Sequence, residues 1–160
     1  MEITCHNTCE TCTSESANDC YSCKDNATHQ EDGSCSCDDE WYMDSSGDCQ
    51  ACYPTCRTCT GAGLGNCIAC KVDATLNDGE CLCNPGFFEA DDYNCYPCHD
   101  TCLTCDGPSM SECKACRSTG YVFDDGYCLC ADGFYALDSV CNPCHESCLL
   151  CDAGGDTNCE

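Results

Sequence analysis

Cysteines recur through this chain in one fixed order of gaps, and that order constrains the fold more than any other feature. Between Cys52 and Cys95 successive cysteines are separated by 3, 2, 7, 2, 10, 1 and 11 residues. Cys98 to Cys141 repeats the series with one residue moved from one long gap to the other, Cys5 to Cys49 is the copy before, and a fourth copy runs from Cys144 to Cys159. The opening cysteines Cys5, Cys52, Cys98 and Cys144 are 47, 46 and 46 residues apart. A period of that size marks an array of one small module. The modules read as 1–49, 50–95, 96–141 and a partial copy over 142–160.

Such an array has little else to hold it. Leu, Ile, Val and Phe together make 17 of 160 residues and the net charge is -24, a combination that normally leaves a chain disordered. The 28 cysteines are the available substitute for an apolar core, as disulfides or as metal clusters. Disulfides require an oxidising compartment, so the chain is expected outside the cell or at its surface. No apolar leader precedes Cys5 and the array breaks off inside its fourth copy, so the sequence reads as an excerpt of a longer one. No window of about 18 apolar residues is present, so no membrane insertion is expected within this segment. With 29 acidic residues against 5 basic ones, nucleic acid and anionic membranes are disfavoured as partners, whereas cations and basic partners are not.

The opening of the module, Cys5-His6-Asn7-Thr8-Cys9-Glu10-Thr11-Cys12 and again Cys98-His99-Asp100-Thr101-Cys102-Leu103-Thr104-Cys105, resembles the furin-like, or growth-factor-receptor, cysteine-rich repeat. The resemblance covers essentially the whole chain. It implies that the first cysteine of each module pairs with the third, the second with the fourth, the fifth with the sixth and the seventh with the eighth. Carried over, the first module has Cys5 with Cys12, Cys9 with Cys20, Cys23 with Cys35 and Cys37 with Cys49. The second has Cys52 with Cys59, Cys56 with Cys67, Cys70 with Cys81 and Cys83 with Cys95. The third has Cys98 with Cys105, Cys102 with Cys113, Cys116 with Cys128 and Cys130 with Cys141. The partial copy has Cys144 with Cys151 and Cys148 with Cys159. The Cys-x-Cys pairs, such as Cys35 and Cys37, also occur in domains similar to epidermal growth factor. Sequence alone does not choose among the many connectivities. Each such bridge closes a loop worth about 2–3 kcal/mol in the chain-entropy model.

Local signals fill in the rest. Asp32-Gly33, Asp78-Gly79 and Asp125-Gly126 predict type I′ turns, each closing a two-stranded ribbon. A second ribbon starts from an aromatic pair, Trp41-Tyr42, Phe87-Phe88 or Phe134-Tyr135, with one ring expected over a disulfide and its neighbour facing out. The seven-residue gaps read as loops, and the two-residue spacers Gln50-Ala51, Tyr96-Pro97 and Asn142-Pro143 as linkers too short for modules to tumble independently. The fold class is therefore small and disulfide-rich: tandem cysteine-rich modules of short β-hairpins forming an elongated rod with very little helix.

Several groupings look chemical and have a plainer reading. Ten Cys-x-x-Cys pairs lack the strand and helix context of a redox enzyme. Thiolate clusters holding zinc or copper are a remote alternative, disfavoured by 3 Lys against 13 aromatic residues. His6, His99 and His145 follow the opening cysteine, where the second module has Tyr53; a ring packed on the bridge explains that exchange better than a metal ligand. Lys24, Lys71 and Arg117 share one repeat position and are expected to pair with a carboxylate across a module or subunit boundary. Together with Tyr42, Phe88 and Tyr135 they are the candidate contact positions. Asp38-Asp39-Glu40 and Asp91-Asp92 make calcium the one cofactor to consider, although neither resembles a calcium loop and solvation is the simpler reading. Asn26-Ala27-Thr28 is an N-glycosylation sequon. No hydrolytic constellation is visible, and no enzyme is expected.

Two functions fit. One is a structural extracellular repeat protein, a stiff rod whose copies, or further repeats of a longer chain, assemble into a surface filament, coat or fibre, as the similarity to surface-protein arrays of ciliates and other single-celled eukaryotes implies. The alternative is a receptor-ectodomain or ligand-binding cysteine-rich module. A binding site makes one module unlike the others, whereas a polymer keeps its contact positions in register.

Overall fold

The computed structural model describes residues 3–118, 120–154 and 159. The chain divides into two compact units, Met1–Leu82 and Cys83–Glu160. Among the described residues the regular structure is strands only, apart from one 3-10 turn at Leu64–Asn66. The fold is a small disulfide-rich tandem array of β-hairpins.

In the first module β1 (Cys9–Cys12) pairs with β2 (Cys20–Cys23), β3 (Ala27–His29) with β4 (Cys35–Cys37) and β5 (Trp41–Met43) with β6 (Cys49–Ala51). The second repeats this with β7 (Cys56–Cys59) and β8 (Cys67–Cys70), β9 (Ala74–Asn77) and β10 (Glu80–Cys83), and β11 (Phe87–Glu89) and β12 (Cys95–Pro97). The third has β13 (Cys102–Cys105) and β14 (Cys113–Cys116), β15 (Tyr121–Asp124) and β16 (Tyr127–Cys130), and β17 (Phe134–Leu137) and β18 (Val140–Pro143). Each pair is an isolated antiparallel ribbon. Two-stranded ribbons of three or four residues are marginal alone, so their stability comes from the bridges.

Among the described residues no cysteine is free. The first module is bridged Cys5 to Cys12, Cys9 to Cys20, Cys23 to Cys35 and Cys37 to Cys49. The second is bridged Cys52 to Cys59, Cys56 to Cys67, Cys70 to Cys81 and Cys83 to Cys95. In the third, Cys98 joins Cys105, Cys102 joins Cys113, Cys116 joins Cys128 and Cys130 joins Cys141. Cys144 joins Cys151 and Cys148 joins Cys159. These are the pairs that the resemblance implies. The sulfurs are the core: one cluster gathers Cys9, Cys20 and Cys35, a second Cys52, Cys56, Cys59, Cys67 and Cys81, a third Cys98, Cys102, Cys105, Cys113 and Cys128. Cys56 and Cys102 are fully buried.

Gap length shows itself as turn type. A ten-residue gap closes with two residues at positive φ, Asp78 (50°) and Gly79 (86°) in the second module and Asp138 (48°) and Ser139 (62°) in the third, the signature of a type I′ turn. The Asp32-Gly33 turn departs from the expected type I′. Only Gly33 has positive φ there, and the Gly33 N–H donates to the Gln30 carbonyl while the Gln30 N–H donates to Ser34. The extra residue of that gap turns a two-residue loop into a longer one ending in a left-handed glycine. In the third module the extra residue lies before β15 instead, and Asp125 (43°) and Gly126 (89°) keep the two-residue turn.

Glycine is required twice over at these tips. A Cβ on Gly33, Gly79 or Gly126 would lie 2.0, 2.2 or 2.3 Å from the carbonyl oxygen of Asn18, Gly65 or Ser111, each in the seven-residue loop of the same module. The same glycines accept a backbone hydrogen bond from Cys20, Cys67 and Cys113. The ribbon tip is thereby sewn onto the loop that precedes it.

Candidate functional site

The most regular feature outside the bridges is the junction between successive modules. The N–H of the opening cysteine donates to the carbonyl of a residue just before the aromatic pair: Cys52 to Glu40, Cys98 to Gly86 and Cys144 to Gly133, all at 2.8 Å. That same residue donates its own N–H into the next module, Glu40 to Arg57 at 2.6 Å, Gly86 to Leu103 at 2.6 Å and Gly133 to Leu149 at 2.8 Å. All three have positive φ, at 70°, 90° and 82°, a region that glycine reaches without strain and glutamate does not. Each junction lies within one compact unit. Pro85-Gly86 and Asp132-Gly133 are visible in the sequence as turn signals, whereas Glu40 carries none.

The spacers expected to be linkers are strand residues. Gln50 and Ala51 pair with Tyr42 and Trp41, Tyr96 and Pro97 with Phe88 and Phe87, and Asn142 and Pro143 with Tyr135 and Phe134. Proline is tolerated there because it closes the end of a ribbon, where its missing N–H breaks no ladder. The second ring of the aromatic pair leans forward: Tyr42 packs on the cluster around Cys56 and Phe88 on the cluster around Cys102. Phe88 also meets Tyr96 with ring centroids 6.3 Å apart. The first ring does not face out as expected, since Trp41, Phe87 and Phe134 are all half-buried. Phe134 is held against Gly120, where a Cβ would lie 2.9 Å from the ring. Tyr135 brings its hydroxyl beside Gly154, with 3.0 Å to the place a Cβ would take.

The cations at one repeat position find three different partners. Lys24 pairs with Asp48 at 2.7 Å inside its own module, and Lys71 with Glu40 of the preceding module at 3.3 Å. Arg117 takes no carboxylate among the described residues; its Nε donates to the Cys102 carbonyl at 2.9 Å. The remaining two are also engaged, Arg57 with Asp39 at 2.9 Å and Lys114 with Asp106. The acidic run is spread in the process: Asp38 accepts from Thr28, Asp39 from Arg57 and Glu40 pairs with Lys71. Among the described residues no three His, Cys, Asp or Glu side chains converge as a metal site does.

The histidines act in their turn. His6 Nδ1 lies 2.9 Å from the Thr8 hydroxyl, His99 Nδ1 2.9 Å from that of Thr101 and His145 Nδ1 2.7 Å from that of Ser147, and each also accepts a long hydrogen bond from the backbone N–H of that residue. The ring is a polar cap on the opening turn, and Tyr53 replaces it by packing on the sulfurs instead.

Carboxylates cap the hairpin loops. The Ser34 hydroxyl holds Asp32 below the ordinary carboxylate value, and the Asp48 backbone N–H does so for Asp44. For Asp92 the Asn94 side chain contributes most and the Tyr96 hydroxyl next, and the same bond pushes the Tyr96 phenol up. Asn26 is exposed just before β3, with φ 59°.

Among the described residues no helix is long and apolar enough to cross a membrane. The structure thus defines a class, the disulfide-bridged tandem hairpin array compatible with a cysteine-rich repeat and with an extracellular structural or binding module. No family model matches the chain, and no curated protein matches its sequence.

Proposed function

We propose that this chain is a structural extracellular repeat protein of the furin-like kind, a non-catalytic stiff rod that builds a surface coat, filament or fibre. The junction carries this reading. The same pair of backbone hydrogen bonds is made at each of three successive boundaries, and the first two are reinforced from the preceding ribbon by Tyr42 and Phe88. A repeated step with a fixed joint is what a spacer needs and what a single recognition site does not. Bridges in every module suit an oxidising, proteolytic exterior. Copies carrying a charge of -24 associate where cations or a basic neighbour screen the acidic faces.

Electron microscopy of the oxidised, secreted chain at near-physiological salt tests the reading. Filaments or straight particles of uniform width are expected, and their loss on adding a chelator would assign calcium to the assembly. Compact or freely bending monomers under all conditions would overturn it.

A further inference from the structure

The ribbon β15–β16 differs from its counterparts on the face turned away from the sulfurs. Its register pairs Val122 with Leu129 and Asp124 with Tyr127, and because strand side chains alternate these four share one face. Tyr121 and Cys128, on the other face, pack in the cluster around Cys102. Val122 and Leu129 are therefore left to solvent, 50% and 48% exposed, with Tyr127 at 39% on the same face, while Phe123, opposite Cys128, is 51% exposed on the other. In the first module the corresponding pair is Thr28 and Ser36, both engaged in polar hydrogen bonds. In the second it is Thr75 and Leu82, and Leu82 is 50% exposed; the place of Leu129 is thus apolar in two modules, and β15–β16 alone adds a valine opposite it.

The ribbon is also held in place. The Tyr121 hydroxyl donates to the Ser139 carbonyl at 2.8 Å and accepts from the Cys141 N–H at 3.3 Å, tying β15 to the next hairpin. A platform fixed in advance loses little freedom when something docks on it.

Charge selects what docks. Val122, Phe123 and Leu129 line a shallow depression together with Asp124 and Asp132, and Asp125 stands in the adjoining turn. An occupant must supply apolar side chains for the centre and positive charge for the rim. A second copy of this chain does not: its net charge is -24, and all five of its lysines and arginines are engaged internally. We propose that the outward face of β15–β16 is a docking surface for a polypeptide segment presenting apolar side chains flanked by lysine or arginine. The surface stands whether or not the chain polymerises.

The test titrates the oxidised 160-residue chain with a short peptide of alternating valine and lysine, followed by calorimetry. One site per chain is expected, weakened about tenfold or more by Val122→Thr with Leu129→Ser, which copies the first module's polar face and leaves every charge in place. Asp124→Asn with Asp132→Asn is expected to weaken binding less and to flatten its salt dependence. Neither variant touches a cysteine, and disulfide mapping by mass spectrometry, with the Cys116–Cys128 and Cys130–Cys141 pairs recovered, reports that both are folded. Unchanged affinity in V122T/L129S, or equal binding of a valine–glutamate peptide, overturns the proposal. Self-association of the native chain that V122T/L129S abolishes also overturns it, by giving the face to a second copy.

Discussion

The opening turns of the second and third modules have the same backbone and different chemistry. In both, the fourth residue donates its N–H to the carbonyl of the first, Cys56 to Tyr53 and Cys102 to His99, each at 2.9 Å. In the third module His99 meets the hydroxyl of the buried Thr101. In the second, Tyr53 occupies the place of the histidine, and Thr55 Oγ1 is buried with no hydrogen-bond partner among the described residues. The bridges hold the backbone of the turn in either case. What the exchange of ring changes is the satisfaction of one hydroxyl, and an unsatisfied buried hydroxyl costs about 1–3 kcal/mol.

If the scaffolds of the two modules are equivalent, damage to the scaffold must cost the same in both. Gly79→Ala and Gly126→Ala each force a Cβ against a carbonyl oxygen at 2.2 and 2.3 Å in a backbone region hostile to alanine. Both should destabilise their module by about 1–3 kcal/mol or more. Amide hydrogen exchange within the module measures this, and a loss confined to one variant would break the equivalence.

The threonines should then separate the modules by sign. Thr101→Val removes the partner of His99 and should weaken the third module by about 1 kcal/mol. Thr55→Val removes only an unpaired hydroxyl and should leave the second module unchanged or stabilise it by about 1 kcal/mol. Two losses of equal size would show that Thr55 is satisfied in solution.

The smallest effect is at low pH. Asp92 is held below the ordinary carboxylate value when folded, so the unfolded chain binds the more protons as pH falls. The stabilisation is present above the ordinary value, about pH 4, and is lost as pH falls through the lowered folded value. Amides of the loop between β11 and β12 should exchange faster there, and Asp92→Asn should remove that dependence.

Much of the scaffold was legible because it is local. The pairing of the bridges came from the resemblance and not from spacing, but each bridge spans only 7 to 12 residues. The glycine tips were legible for the same reason. The Asp32-Gly33 turn was misread because an extra residue in a gap enters either the tip or the strand entry, and the dipeptide looks the same in both cases. The junction was not read from the sequence: Gly86 and Gly133 stand there as ordinary turn residues, and Glu40, whose left-handed backbone is imposed by hydrogen bonds to Cys52 and Arg57, carries no signal. The apolar face of β15–β16 was hidden too, since Tyr121-Val122-Phe123 reads equally well with either face inward until the register is known.

Lys24, Lys71 and Arg117 mark the boundary between the two kinds of information. Their shared place in the repeat follows from the sequence, as do the module length, the oxidised cysteines and the excess of negative charge. Their partners, Asp48, Glu40 and the Cys102 carbonyl, were decided by the tertiary structure. The physical reason is reach: a disulfide framework is set by short loops along the chain, whereas a long cation is satisfied by whichever acceptor a neighbouring ribbon brings to it. The same distinction separates Thr55 from Thr101, two buried hydroxyls at one repeat position with different surroundings.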